Sequence, residues 1–301
     1  MSSLVKNKKG EISPEIWEAE LELLKFFINI CEKENIKYFA SGGTCLGAVR
    51  HQGFIPWDDD IDIEMLRSDF EKFKQVVSKY FPSYYEFQEV GTSERYYETG
   101  LAKIRDSRTT CFIKWDYPGL KDNWNCGVFL DIFPLDALPN DLKERKAFIT
   151  EVEAKRKYLI NNHYNTKITN KDYTALWEDF YIFCQKYNNT DAKDVSFVTW
   201  NTKFIFSKAY YTDAVILPFE NLMISCPKDY NSYLIAHYGK SYMTPVKAPS
   251  FHGQVYFDCK KSYKEYKNIT KQDFDWLFGK KPPEVKKDIK ADGKPNTYLY
   301  F

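Results

Sequence analysis

The sequence predicts a mixed α/β (α+β) protein with three parts: a mixed core over residues 1–140, a mainly helical portion over 141–278, and a weakly ordered tail over 279–301. Three observations predict it. Up to about residue 140, runs with apolar residues at helical spacing alternate with short runs of period two. From 141 to 209 the pattern turns mainly helical, with breaks near Thr166–Asn170 and Asn188–Asp191. "AVILPFENLMISCP" (214–227) then reads as a β-rich return that packs on the core.

Taken in order, Ser13-Pro14-Glu15 opens a helix: a capping hydroxyl, proline in the first turn, then an acid near the positive end. Ile16, Leu21, Leu24, Phe27, Ile28 and Cys31 carry its apolar face to about Glu34. "KYFAS" (37–41) is a short strand, and "GGTCLGAVRHQG" (42–53) a glycine turn into a short helix. "DIDIEM" (60–65) alternates as a half-buried strand does. Residues 68–81 return to helical spacing with Ser68 as cap. Strand-like runs follow at 84–90, 99–105, 109–115 and 127–133, and 228–239 reads as a helix ended by Gly239. The Lys- and Pro-rich segment beyond 278 carries little to bury.

Lys plus Arg (43) nearly balances Asp plus Glu (42), which argues against nucleic acid or an anionic membrane as the main partner. The N-terminal residues hold no secretion signal, and no run approaches the roughly 18 apolar residues of a spanning helix. Seven dispersed cysteines form no C-x-x-C pair, which fits reduced thiols in a cytoplasmic protein, at most peripherally attached to a membrane. The 18% aromatic content reads mainly as composition bias.

The chemistry concentrates in "FIPWDDDIDIE" (54–64). In a strand, Asp58, Asp60 and Asp62 share one face, while Asp59 joins Ile61 and Ile63 on the other. Crowded carboxylates raise one another's pKa unless something positive sits between them, and a divalent cation does so. A solvated acidic loop conflicts with the flanking Phe54, Ile55, Trp57, Ile61 and Ile63. A calcium EF-hand fails because Ile63 and Asp69 stand where Gly and Glu are needed. A salt-bridge cluster is hard to satisfy with so many acids. Upstream, Gly42, Gly43 and Thr44 at the mouth of a helix suggest an anion site. Downstream, "GVFLDIFPLD" (127–136) embeds Asp131 in an apolar strand, where it needs a partner.

The stretches "SGGTCLGAVRHQGFIPWDDDIDI", "AKIRDSRTT", "GVFLDIFPLD" and "CPKDYNSYLIAHYGKSYMTP" resemble, in content and order, the LicD family, which includes the fukutin-like proteins. Cys45 stands where that family more often has Leu. The resemblance implies a nucleotidyltransferase-like fold. It also implies transfer of a phospho-alcohol unit, phosphocholine in the type case, from a CDP-activated donor to a sugar hydroxyl of a cell-surface glycan or its lipid-linked precursor. Ribitol phosphate is the donor unit in relatives. The segment 141–209 matches no family motif and is where acceptor specificity would sit.

On this reading Asp60, Asp62 and Asp131 coordinate Mg²⁺, with Mn²⁺ as the alternative, and Asp58 completes the site or accepts the acceptor's proton. Asp59 is structural. Lys103 and Arg105 share a strand face and would bind phosphate oxygens. Arg50 would hold phosphate or pin the acidic strand, with equal standing, and His51 is structural. Trp57 seals the site unless it stacks on a base or faces a quaternary ammonium. His163, His237 and His252 show no ligand spacing, and Tyr238-Gly239 ends a helix. Two other functions compete: a metal-dependent Asp-x-Asp glycosyltransferase, against which the glycine turn and Asp131 argue, and a non-catalytic glycan-binding relative, against which the full acid set argues.

Overall fold

The computed structural model describes residues 3–4, 12–90, 92, 100–113, 116–121, 124–163, 165–247 and 255–278. The expected tail at 279–301 and His252 lie outside them.

Helix α1 (Pro14–Glu34) begins at the predicted proline and buries Ile16, Glu20, Leu23, Leu24, Phe27, Ile30 and Cys31. It ends where Asn35, at φ 50°, turns left-handed and returns its N–H to the Cys31 carbonyl. Ser13 has cap-like backbone angles, but its side chain makes no capping hydrogen bond. Two-residue β1 (Ser3–Leu4) and β2 (Phe39–Ala40) flank this helix in sequence. Then come α2 (Gly42–Arg50), β3 (Asp62–Leu66) and α3 (Arg67–Val77). Leu66, not Ser68, occupies the cap position of α3, because the chain passes from strand to helix without a loop.

Strands β4 (Tyr85–Gln88), β5 (Ala102–Asp106), β6 (Thr110–Ile113) and β7 (Val128–Leu138) follow, with α4 (Tyr117–Lys121) before β7. The central sheet runs β2-β3-β7-β5-β4. β3 and β7 are parallel, and the other pairings are antiparallel. All eleven residues of β7 are buried. Its near-continuous apolar sequence is what a central strand covered on both faces requires, and it makes Asp131 and Asp136 exceptional. Asp136 is met by Arg67 of α3 in a two-pronged contact, Nε to Oδ1 at 2.8 Å and Nη2 to Oδ2 at 2.7 Å.

Helices α5 (Leu142–Asn161) and α6 (Asn170–Cys184) confirm the helical pattern and the break between them. The end of the 141–209 segment departs from it. Residues 194–207 form β8 (Asp194–Phe197) and β9 (Asn201–Ser207), an antiparallel pair. β8 pairs with the far end of β7, Asp136 opposite Ser196 and Leu138 opposite Asp194. The β-branched and aromatic sequence of β9, with Thr202, Phe204 and Phe206 two apart, fits a strand better than a helix. The predicted β-rich return is a hairpin of β10 (Ala214–Phe219) and β11 (Leu222–Pro227), followed by α7 (Tyr230–Tyr238) and Gly239 at φ 82°. β12 (Val255–Asp258) joins β1 and β6 in a small sheet, against which α8 (Lys271–Leu277) packs. The main hydrophobic core draws Leu24 and Phe27 from α1, Ile61 and Ile63 beside the acids, Val195 and Phe206 from β8–β9, and Tyr233 from α7.

Candidate active site

The site forms where α2 begins and β3 begins. Ser41 N–H donates to the Asp62 carbonyl at 2.9 Å, and Asp62 N–H donates to Thr44 Oγ1 at 2.8 Å. These two bonds tie the glycine turn to the acidic strand. Gly42 takes φ 41°, which favours glycine, and its N–H donates to the Tyr233 hydroxyl at 2.9 Å. Gly43 lies against the Asp58 carboxylate, which a side chain at this position would push aside. A Cβ there would lie 2.5 Å from Asp58 Oδ2.

Glu64, buried below the turn, accepts hydrogen bonds from Ser41 Oγ at 3.1 Å and from the Tyr233 hydroxyl at 3.3 Å. Burial pushes its carboxyl up to about 8 against those two bonds. It continues the period-two row of acids begun at Asp58, a signal the sequence carried, and it supports the turn from beneath.

Asp58 to Ile61 precede β3 rather than belonging to it; only Asp62 is a strand residue. The grouping of Asp58 and Asp60 therefore comes from an extended loop, not from strand alternation as expected. The outcome is nonetheless alternate: Asp58, Asp60 and Asp62 line one cavity of about 410 Å³, and Asp59, 4% exposed, is not among its lining residues. Single oxygens of Asp58, Asp59 and Asp60 come within 4.8 Å of one another. The loop is anchored by Trp17, whose indole N–H donates to the Asp58 carbonyl at 3.0 Å.

Asp131 sits directly beside Asp62 in the parallel β3–β7 register, with Lys103 of β5 on its other side. Lys103 Nζ donates to Asp131 Oδ1 at 2.6 Å, both side chains being buried. The partner that Asp131 needed is thus at least partly an ammonium group. Lys103 and Arg105 do share a face, both over the Phe129 ring at 3.8 and 4.8 Å from its centroid. Neither lines the cavity. Arg105 holds Gln88 Oε1 at 2.7 Å and the Gly127 carbonyl at 3.0 Å. Arg50 does line the cavity, but Nη1 donates to the Tyr242 carbonyl at 2.7 Å rather than to the acidic stretch. Gly42, Gly43 and Trp57 are lining residues as well, and Thr44 stands behind them.

Burial is the largest cause raising Asp58 and Asp62 well above the ordinary carboxylate range. Asp60 and Asp59 add to it at Asp58, and Asp60, Asp131 and Asp58 add to it at Asp62, where Lys103 opposes it. Asp60 is raised by burial and relieved by the Asp58 hydrogen bond and by Lys103. A half-buried set of oxygen donors with this much mutual repulsion fits a hard divalent cation such as Mg²⁺ or Mn²⁺.

Sequence reasoning missed Glu20. It is 2% exposed on the buried face of α1, one turn after Ile16, and its Oε2 has no hydrogen-bond partner. Burial first, then Asp60, Asp59 and Asp58, raise its carboxyl. An acid on the apolar stripe of "EIWEAELELL" was the visible clue. Also missed was His237, which lines the cavity from α7 and stacks on Phe204, centroids 4.8 Å apart.

A glycine turn at a helix mouth, an Asp-x-Asp entering a strand and a third carboxylate on the neighbouring parallel strand together define a nucleotidyltransferase-type site. Residues 35–139 match the family LicD/FKTN/FKRP, nucleotidyltransferase domain. It is 28% identical over 241 residues to the lipopolysaccharide cholinephosphotransferase LicD of Haemophilus influenzae, covering 73% of this chain and 87% of that protein. A shorter stretch of 55 residues is 33% identical to the ribitol 5-phosphate transferase FKRP of Homo sapiens, 18% of this chain and 11% of that one. Another, of 73 residues, is 41% identical to an uncharacterized protein of Rickettsia prowazekii, covering 24% of this chain and 27% of that protein. Among the described residues no helix is long and apolar enough to cross a membrane.

Proposed function

We propose that this chain is a metal-dependent phosphotransferase. It would move a phospho-alcohol group, phosphocholine in the first instance, from a CDP-activated donor to a sugar hydroxyl of a cell-surface glycan or its lipid-linked precursor. The observation that carries the reading is the lining of one cavity by Asp58, Asp60 and Asp62 beside the Gly42-Gly43 turn, with Asp131 in register with Asp62. The similarity to a cholinephosphotransferase across most of both chains supports the phosphocholine donor.

In the reaction the acceptor oxygen attacks the phosphorus that bears the alcohol. A new P–O bond forms, the bond to CMP breaks, and the acceptor's proton passes to a carboxylate or to water. Asp60, Asp62 and Asp131 would hold the cation, and Asp58 completes that shell or takes the proton. Mg²⁺, when bound there, neutralises the donor diphosphate and aligns it for in-line displacement. Lys103 holds Asp131 in place through their ion pair, acting behind the reacting atoms. Glu64 and Tyr233 hold the Gly42 turn at its distance from Asp62.

The test is a screen of CDP-choline, CDP-ribitol and UDP-sugars with candidate acceptor sugars and Mg²⁺. The reading expects CMP release with phosphodiester formation. UDP release with glycoside formation would replace it by a glycosyltransferase, and binding without turnover on every donor by a glycan-binding module.

A further inference from the structure

The lining of the cavity has two chemically different parts. One carries the carboxylates. The other is a wall of four rings: Phe133 from β7, and Phe197, Trp200 and Phe204 from β8, β9 and the turn between them. Ring centroids lie 5.4 Å apart for Phe133 and Phe197, 5.1 Å for Phe133 and Trp200, and 6.1 Å for Phe197 and Phe204. Trp200 and Phe204 are nearly parallel, 3° between their planes, with centroids 6.4 Å apart. Phe133 and Phe197 are buried, while Trp200 and Phe204 are half-buried.

Phe133 follows Asp131 by two residues on β7, so both project on the same side of the strand, about 7 Å apart along it. A group held by its phosphate at the carboxylates would therefore reach the rings with a short alcohol. Three of the four rings belong to segments beyond the family-matched residues 35–139.

We infer that the Phe133–Phe197–Trp200–Phe204 wall is the subsite for the donor's alcohol, and that it selects a quaternary ammonium over a polyol. This rests on the phosphotransferase reading above. The chemistry of the wall supports the choice. Three phenyl rings and an indole offer one hydrogen-bonding group between them, whereas a ribitol chain needs a partner for each hydroxyl it buries. A trimethylammonium group needs none. It is stabilised by ring faces. Among the described lining residues Arg50 is the single always-cationic side chain, and it is turned to the Tyr242 carbonyl. His237, stacked on Phe204, is pushed down to about 4 by burial and adds no competing charge at neutral pH.

Calorimetric titration of the full chain with phosphocholine and with ribitol 5-phosphate, each with Mg²⁺, tests this without turnover. Phosphocholine should bind at least tenfold more tightly. Trp200→Leu, which keeps an apolar side chain but removes the ring, should erase that preference about tenfold, and Trp200→Phe should retain most of it. Equal affinities in the unmutated protein, or an undiminished preference in Trp200→Leu, would overturn the assignment. The unmutated comparison stands even where a variant fails to fold. Phosphocholine preference with no CMP release from any CDP-alcohol would keep the subsite and remove the transfer reading. CMP release from CDP-ribitol without phosphocholine preference would do the reverse.

Discussion

Asp60 makes both Asp58 and Asp62 harder to ionise, and burial does more of that than any neighbour. Asp62→Asn should lower Mg²⁺-dependent turnover on the order of a hundredfold or more, since the cation stabilises the transition state by several kcal/mol. The same change relieves repulsion, so the metal-free melting temperature should hold or rise by a few degrees, on the order expected when a strained site is neutralised. A fall in both would mark Asp62 as structural. His237 gives the residue-scale pH prediction. Its folded value near 4 lies below its unfolded value of 6.5, so the unfolded state binds more protons between them. Stability is therefore full above about pH 6.5 and declines as the pH falls towards 4, by at most about 3 kcal/mol. His237→Phe, which can keep the stacking on Phe204, should flatten that slope in denaturant titrations at pH 7, 5.5 and 4.5. An unchanged slope would show that other groups set it. At this scale the sequence displayed the acids and the glycines plainly, because spacing alone marks them. It did not display that Lys103 and Arg105 are occupied by Asp131, Gln88 and Gly127, because those contacts come from strand register.

At the scale of elements, β7 determines the geometry. It receives β3 on one side and β5 on the other, which sets Asp62, Asp131 and Lys103 in one row across three strands. Removing one partner of a buried ion pair leaves an uncompensated charge and costs about 3–5 kcal/mol. Lys103→Met should destabilise by that order in chemical denaturation. The double variant Lys103→Met, Asp131→Leu should recover most of it while remaining inactive. A single variant as stable as the parent would show that Asp131 is neutralised by other groups. Helix α1 was legible from apolar spacing, and the stretch of β10–β11 as a β-rich return, though not as a hairpin. β8 and β9 were not, since their apolar residues follow a long helical stretch and acquire their strand partner from the far end of β7. The loop of Asp58 to Ile61 was read as strand because an extended loop and a strand share the same alternation.

For the molecule as a whole, the core joins α1, the central sheet, β8–β9 and α7, and β8 extends the sheet at β7. We therefore expect residues before and after 140 to unfold together. Far-UV circular dichroism and the fluorescence of Trp177, buried in the α5–α6 cluster, should report one coincident transition. Two separated transitions would instead divide the chain near residue 140. The mixed α/β architecture could be read from the sequence, whereas the cavity could not, because its walls come from α2, the acidic loop, β7, β8–β9, α7 and the segment after it. The central claim is that Asp60, Asp62 and Asp131 share one divalent ion. Titrating Mn²⁺, followed by electron paramagnetic resonance, into the unmutated chain, Asp62→Asn and Asp131→Asn tests it most directly. The account predicts tight binding in the first and a loss of at least tenfold in each variant. Undiminished binding in Asp131→Asn would contradict it and assign the ion to the Asp58–Asp59–Asp60 trio instead.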